Sequence, residues 1–225
     1  MPGSPLTVGQ AQVNLKSKPQ LDNLTFRLGC PLNDLLNSDY HVAVLLHCLY
    51  YFPSTEALSD TFRALHPRVD TLCISEYSLQ SSMSSQHPHV LAVLAQQALE
   101  TIKPIGESQS NVQTVLSPRA IVALAGKSGW HLVRERIITP DASLQDGRWE
   151  VGTVYSSQWM EDVDAVLNQV GGDASRQRAW LAATRDATVA AVDRLADENT
   201  TKGKAMDRVR TMDVWCAVFG RTLED

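Results

Sequence analysis

Tyr40-His41-Val42-Ala43-Val44-Leu45-Leu46-His47-Cys48-Leu49-Tyr50-Tyr51-Phe52 is the stretch on which the fold turns. Its centre, Val42 to Leu46, is a continuous apolar run without a charge. Such a run reads as a strand covered on both faces, the kind that parallel sheets use. Ser54 then caps a helix through Leu65, with Ala57, Leu58, Phe62 and Leu65 spaced along one face. Val69 to Ser75 (VDTLCIS) is a second buried strand. A strand, a helix and a strand in about thirty residues make a βαβ unit, which fixes a parallel pair and a right-handed crossover.

Upstream, Thr7 can cap a helix over Val8 to Lys16, ended by Pro19. Asn23 to Leu28 reads as a short strand closed by Gly29, followed by a loop through Cys30 and Pro31 and one helical turn over Asn33 to Leu36. Downstream, a Ser-rich loop (Ser78 to Ser85) leads into a long apolar helix, His87 to Ile102. After a loop over Pro104 to Asn111, Ser117-Pro118 opens a helix that runs to Lys127 and stops at Gly129. Trp130 to Ile138 alternates as a strand does, and Trp149 to Tyr155 is a further strand candidate. Helices are expected over Gln158 to Val170 and Ala174 to Leu195, a polar stretch over Asp197 to Lys204, and a last strand over Met212 to Phe219. The order predicts an α/β fold, doubly wound with a mostly parallel sheet. No repeat or linker divides the chain, so a single domain over 1–225 is expected, with 157–205 as a helical insertion before the last strand.

Bulk properties exclude several classes. Of 225 residues 44% are apolar and 20% charged, enough for a real core. A net charge of −5 without a Lys/Arg cluster argues against a nucleic-acid partner. Val42 to Phe52 is too short and too polar to span a bilayer, and Met1-Pro2-Gly3-Ser4-Pro5 is no signal peptide. No membrane association and a cytoplasmic location are expected. Cys30, Cys48, Cys73 and Cys216 form no C-x-x-C pair and read as reduced thiols.

In order, these segments resemble class I S-adenosylmethionine (SAM) methyltransferases. Tyr40 to Phe52 resembles their fourth strand and the aromatic turn after it. Phe62 to Pro67 resembles the end of the next helix, and Val69 to Glu76 the fifth strand with its terminal acid. Ser117 to Ile138 resembles the late helix and sixth strand. Gly9 to Gln12 with Leu24 to Phe26 resembles the helix after the second strand and then the third. Ser4 to Gln12 and Arg210 to Trp215 are similar to the two ends of a fungal small-molecule methyltransferase-like group. The resemblance implies SAM as cofactor and a small organic molecule as substrate. The family holds SAM with a Gly-rich turn after the first strand and an acid closing the second, and both fall upstream of Met1. Gly29, Cys30 and Pro31 stand where the family's third-strand turn meets the adenine. Methyl transfer therefore requires a partner, a second copy or an upstream segment to complete the donor site. The missing first strand would also leave one edge of Val42 to Leu46 bare, so a homodimer, a protein partner or the chain's own N-terminal segment is expected to cover it.

The C-terminal end of a parallel strand is where open α/β sheets bind ligands. His47 is there a candidate polar contact or general base, and Cys48, Tyr50 and Tyr51 candidate pocket walls. Alternatively His47 bonds a loop and both tyrosines pack. Glu76 and Tyr77 end the adjacent strand, where a carboxylate can orient a substrate amine or hydroxyl, or cap a loop. Trp149-Glu150 can form an outer wall, while the other tryptophans read as core. His87-Pro88-His89 lacks a third ligand, so no metal is expected and capping is preferred. Arg176 to Arg178 and Arg185-Asp186 read as a solvated helix face. No G-x-S-x-G, H-E-x-x-H or P-loop is present. Three functions remain open: methyl transfer, a SAM-independent isomerisation or cyclisation, and a non-catalytic subunit of another methyltransferase.

Overall fold

The computed structural model describes residues 7–27, 39–104, 108, 110–170, 174–196 and 202–221. They fall into two compact units, one within residues 1–38 and one within 39–225. In the first, Thr7 caps α1 (Val8–Lys16) through a reciprocal pair with Gln10, and Pro19–Leu21 forms a 3₁₀ turn. The strand expected over Asn23 to Leu28 does not form. Residues 24–27 have no regular structure and Leu24 is exposed, while Leu28 and the turn expected over Asn33 to Leu36 lie outside the described residues.

The second unit begins with β1 (Tyr40–Leu46), α2 (Thr55–Leu65) and β2 (Val69–Tyr77). It continues through α3 (His87–Glu100), α4 (Pro118–Gly126), β3 (Trp130–Ile138), α5 (Asp146–Tyr155), α6 (Gln158–Val170), α7 (Ser175–Asp193) and β4 (Val214–Arg221). The sheet order is β1-β2-β4-β3. β1 and β2 run parallel with Val44 opposite Cys73, as the βαβ reading requires. β4 returns between β2 and β3, antiparallel to both. The α/β class holds, and parallel pairing among the described strands is confined to β1–β2.

Trp149 to Tyr155 is helical, part of α5, and not a strand. Gly147, Val151 and Val154 are its buried positions, at helical spacing. Gly147 sits so close to the chain at Arg210 and Thr211 that a Cβ would lie 2.7 Å from the Arg210 oxygen.

Burial alternates along the central strands. Leu72, Ile74 and Glu76 in β2 and Trp215, Ala217 and Phe219 in β4 are buried, whereas Cys73, Ser75, Cys216 and Val218 are half-buried. α2 and α4 lie on the buried face, where Leu58, Phe62, Leu65, Ile121 and Ala125 are fully enclosed and Trp130 Nε1 donates to the Phe62 carbonyl at 3.0 Å. Each such aliphatic side chain removed from water contributes about 1.5–3 kcal/mol. A second core joins α3, α5, α6 and α7 through Ala92, Leu99, Val151, Trp159, Val163 and Leu181. Trp130, Trp159 and Trp215 are buried as expected, but Trp149 and Trp180 face solvent. No described helix is long and apolar enough to cross a membrane.

The segment Arg210 to Trp215 ties these parts together. Thr211 Oγ1 accepts from Gly147 N and donates to the Leu144 carbonyl. Asp213 is buried and takes Gln86 Nε2, Ser82 Oγ and Thr139 Oγ1 on one oxygen and Ser82 N on the other, all at 2.9–3.0 Å. Trp215 Nε1 donates to Glu135 Oε2 at 2.6 Å. One short run thus anchors the loop after β2, the start of α5 and the rim of β3.

Candidate functional site

At the C-terminal ends of β1 and β2 the backbone turns sharply. His47 N donates to the Ser75 carbonyl at 2.8 Å, the last bond of the ladder, and His47 itself adopts φ 46°. A non-glycine residue takes that conformation only when its surroundings impose it. Here the constraint is Glu76. Its Oε2 accepts from Leu49 N and its Oε1 from Tyr77 N, both at 2.9 Å, with the residue 1% exposed. The carboxylate thereby pins the 3₁₀ turn Leu49–Tyr51 against the end of β2. His47 Nδ1 lies 3.7 Å from Glu76 Oε1, outside hydrogen-bond reach, and has no other partner.

Tyr77 is the centre of an aromatic cluster. The His47 ring lies 4.6 Å from it, the His89 ring 5.0 Å edge-on, and the Tyr50 ring 5.9 Å. Tyr50 is buried and its hydroxyl donates to the Tyr77 carbonyl at 3.3 Å. Burial foremost, and then Asp146 against the Tyr77 hydroxyl, holds that phenol far above its ordinary range. Tyr51 is 53% exposed, so it forms a rim and not the apolar wall expected of it. Its phenol is raised by partial burial and by Asp146, Glu150 and Glu76 around it. Cys48 is half-buried, and burial followed by the nearby Glu76 pushes its thiol up to about 11. It remains a protonated wall residue.

Asp146 and Glu150 stand one turn apart on α5, facing this cluster. Glu150 Oε2 accepts from Gln96 Nε2 at 2.6 Å, and burial raises its carboxyl. Trp149, between them in sequence, is 68% exposed and stands outside the cluster. His87-Pro88-His89 does not cap α3, whose N-terminus has no side-chain cap. His89 is fully buried instead, and its Nδ1 accepts from Met212 N at 2.9 Å. Burial, and secondarily His47, lowers it to about 3, so the ring is neutral with its proton on Nε2, which has no partner.

The structure thus brings together His47, Cys48, Tyr50, Tyr51, Glu76 and Tyr77, and adds Asp146, which sequence reasoning did not single out, and His89, which it read only as part of a capping His-Pro-His. Gly29, Cys30 and Pro31 lie outside the described residues. Beside the site, a cavity of about 660 Å³ opens between Leu79, Val122, Ile137 and Trp215, the last being the cross-strand neighbour of Glu76. Among the described residues no group of His, Cys, Asp and Glu could hold a metal ion.

No family model matches this sequence. Two proteins of Diaporthe leptostromiformis, named methyltransferase phomM′ and methyltransferase phomM, are each 29% identical to it over 196 residues. The match takes in 79% of this chain and 48% of each relative, so the chain spans about half the length of the curated relatives it matches. The crystal structure of a cyclopropane-fatty-acyl-phospholipid synthase-like protein from Lactobacillus casei has a TM-score of 0.70 at 22% identity. It covers 97% of this chain, which accounts for 70% of that one. That likeness is one of fold, while the likeness in sequence is to methyltransferases.

Proposed function

We propose that this chain forms the acceptor-binding half of a small-molecule methyltransferase whose acceptor atom is an amine nitrogen. The observation that carries the reading is the convergence of Glu76, Asp146 and Glu150 with Tyr50, Tyr51 and Tyr77 around His47. Carboxylates and tyrosine faces together attract an ammonium. His47, whose side chain is 27% exposed although its unpartnered Nδ1 is buried beside Glu76, takes the proton that the nitrogen must shed to become a nucleophile. The apolar part of the acceptor fits the cavity beside Trp215. The described cysteines are free thiols, in keeping with a reducing cytoplasm.

SAM is the methyl donor that the likeness to methyltransferases points to. The described residues do not fit it. No glycine follows β1 (Tyr40–Leu46) or β2 (Val69–Tyr77) to form a phosphate or ribose cradle, and the Cβ spaces of Gly129, Gly147 and Gly220 are taken by His66, by the backbone at Arg210 and Thr211, and by His131. The donor is then held by a segment outside the described residues, which an upstream part of the protein, a partner or a second copy supplies. The same observation favours a second reading, a donor-free isomerase or cyclase.

Isothermal titration with SAM and S-adenosylhomocysteine, followed by mass analysis of an amine panel, tests both. Donor binding with methylated amine formed, and turnover lost in His47→Ala at unchanged donor affinity, is the expected result. Amine binding without any donor binding by a folded protein would retire methyl transfer in favour of the second reading.

A further inference from the structure

Charge is divided between the two ends of the candidate site. Acids gather around His47, whereas the neighbouring cavity of about 660 Å³ carries the opposite sign. Arg119 at the start of α4 and Arg136 on β3 both line it, with Glu135 as its one acid, in a chain whose net charge is −5. Glu135 neutralises neither arginine. Its Oε2 accepts from Trp215 Nε1 at 2.6 Å, and neither guanidinium has a hydrogen bond or an ion pair with any described residue. Two arginines and one glutamate leave a single positive charge facing a space walled by Leu79, Val122 and Trp215. Against such apolar walls a counter-ion is attracted more strongly than in open water. The two ends are continuous. Trp215 is the cross-strand neighbour of Glu76, and Leu79, two residues past Tyr77, packs on the Tyr50–Tyr77 cluster while also lining the cavity. Leu79 does so at φ 58°, a conformation that leucine keeps only where its surroundings impose it.

We propose that this cavity binds a carboxylate on the acceptor, held by Arg119. The acceptor is then an amphoteric compound, with its amine at the His47 end, its carboxylate at Arg119, and an apolar body lying along Leu79 and Trp215 between them. The amine end rests on the function proposed above, while the carboxylate end rests on the cavity alone. A carboxylate suits the cavity better than a phosphate. Its two oxygens match the fork of a guanidinium, and its one negative charge balances the one positive charge left over. A phosphate monoester near neutral pH brings about 1.5–2 negative charges and would set the surplus beside Glu135. Recognition at both ends also separates the acceptor from simple lipophilic amines, which would leave the arginines unpaired.

Isothermal titration of the full chain with octanoate, its neutral isostere octanamide, octyl phosphate and octylamine tests the two ends separately. Octanoate should bind about tenfold or more tighter than octanamide, and tighter than octyl phosphate. Arg119→Gln should abolish that advantage. Arg176→Gln on α7, which removes the same charge outside the cavity, should leave it intact; both side chains are exposed, and circular dichroism checks that both variants fold. An ω-aminooctanoate should bind more tightly than octanoate or octylamine alone. Octanoate binding that depends on Arg119, with no octylamine binding, would retire the amine reading and uphold the carboxylate site. Octanoate no tighter than octanamide, an advantage that survives Arg119→Gln or is lost equally in Arg176→Gln, or a preference for octyl phosphate would overturn the proposal.

Discussion

Replacing Glu76 with Gln asks whether one carboxylate holds the candidate site in place. Both of its oxygens are committed, Oε2 to Leu49 N and Oε1 to Tyr77 N, each at 2.9 Å. Glutamine offers only one oxygen. Whichever way the amide turns, its NH₂ group confronts one of the two backbone donors, and at 1% exposure no solvent can step in. A buried donor left without an acceptor costs about 1–3 kcal/mol, and the surviving bond loses its charge assistance, worth about 1 kcal/mol more. The sum is about 2–4 kcal/mol. A chain of this size loses about 2–4 °C per kcal/mol, so Tm should fall by roughly 4–16 °C in a calorimetric scan at neutral pH. Glu76→Ala removes both acceptors and opens a void, and should fall further. A Glu76→Gln variant melting within about one degree of the wild type would refute the reasoning, because the Leu49–Tyr51 turn would then be set by something other than this carboxylate.

Three further outcomes are expected. His89 is lowered to about 3 in the fold against an ordinary value near 6.5, so the unfolded chain takes up the proton first as pH falls. Its contribution is fully present above about pH 6.5 and is lost from there down to about pH 3 at up to about 1.4 kcal/mol per unit; His89→Gln should flatten that limb of a pH series of urea melts. Cys48, raised to about 11, should react with iodoacetamide at pH 8 about a hundredfold more slowly than an ordinary exposed thiol, read by peptide mass. Gly147→Ala places a methyl 2.7 Å from the Arg210 oxygen and should cost roughly 1–3 kcal/mol, whereas Gly152→Ala in the same helix meets nothing within 4 Å and should be neutral or stabilising by up to about 1 kcal/mol in thermal melts.

What could be read from the sequence was what local chemistry decides. Val42 to Leu46 and Val69 to Ser75 are apolar enough to be strands in any context, and Ser54 and Ser117 cap their helices as their positions suggest. His47, Glu76 and Tyr77 follow from those strands, since the chemistry of a parallel pair collects at its C-terminal end. α5 was misread because Trp-Glu-Val-Gly-Thr-Val-Tyr fits both periods over so short a span, and only Val151 and Val154 entering the helical core decide between them. Asp146 was lost with it. β4 starts at Val214 and not Met212 because Met212 N is taken by His89 and Asp213 by the Ser82 clasp. The role of His89 depends on a residue 123 positions away, a pairing that no window of sequence contains. Arg178 likewise pairs with Asp164 on the neighbouring helix and not within its own.

The insertion of β4 between β2 and β3 dictates an order of assembly. β3 has no described neighbour other than β4, so it has no sheet to join until the chain has advanced far enough to supply that strand. Trp215 reaches Glu135 across 80 residues and Asp213 reaches Ser82 across 131. Contacts spanning such distances form slowly, since each closes a long loop before it is rewarded. During synthesis the β1–α2–β2 unit can collapse early, while β3 waits unpaired with its three charged side chains in water. Those charges therefore serve a second purpose, keeping a strand that must wait for its partner from finding the wrong one on a neighbouring nascent chain.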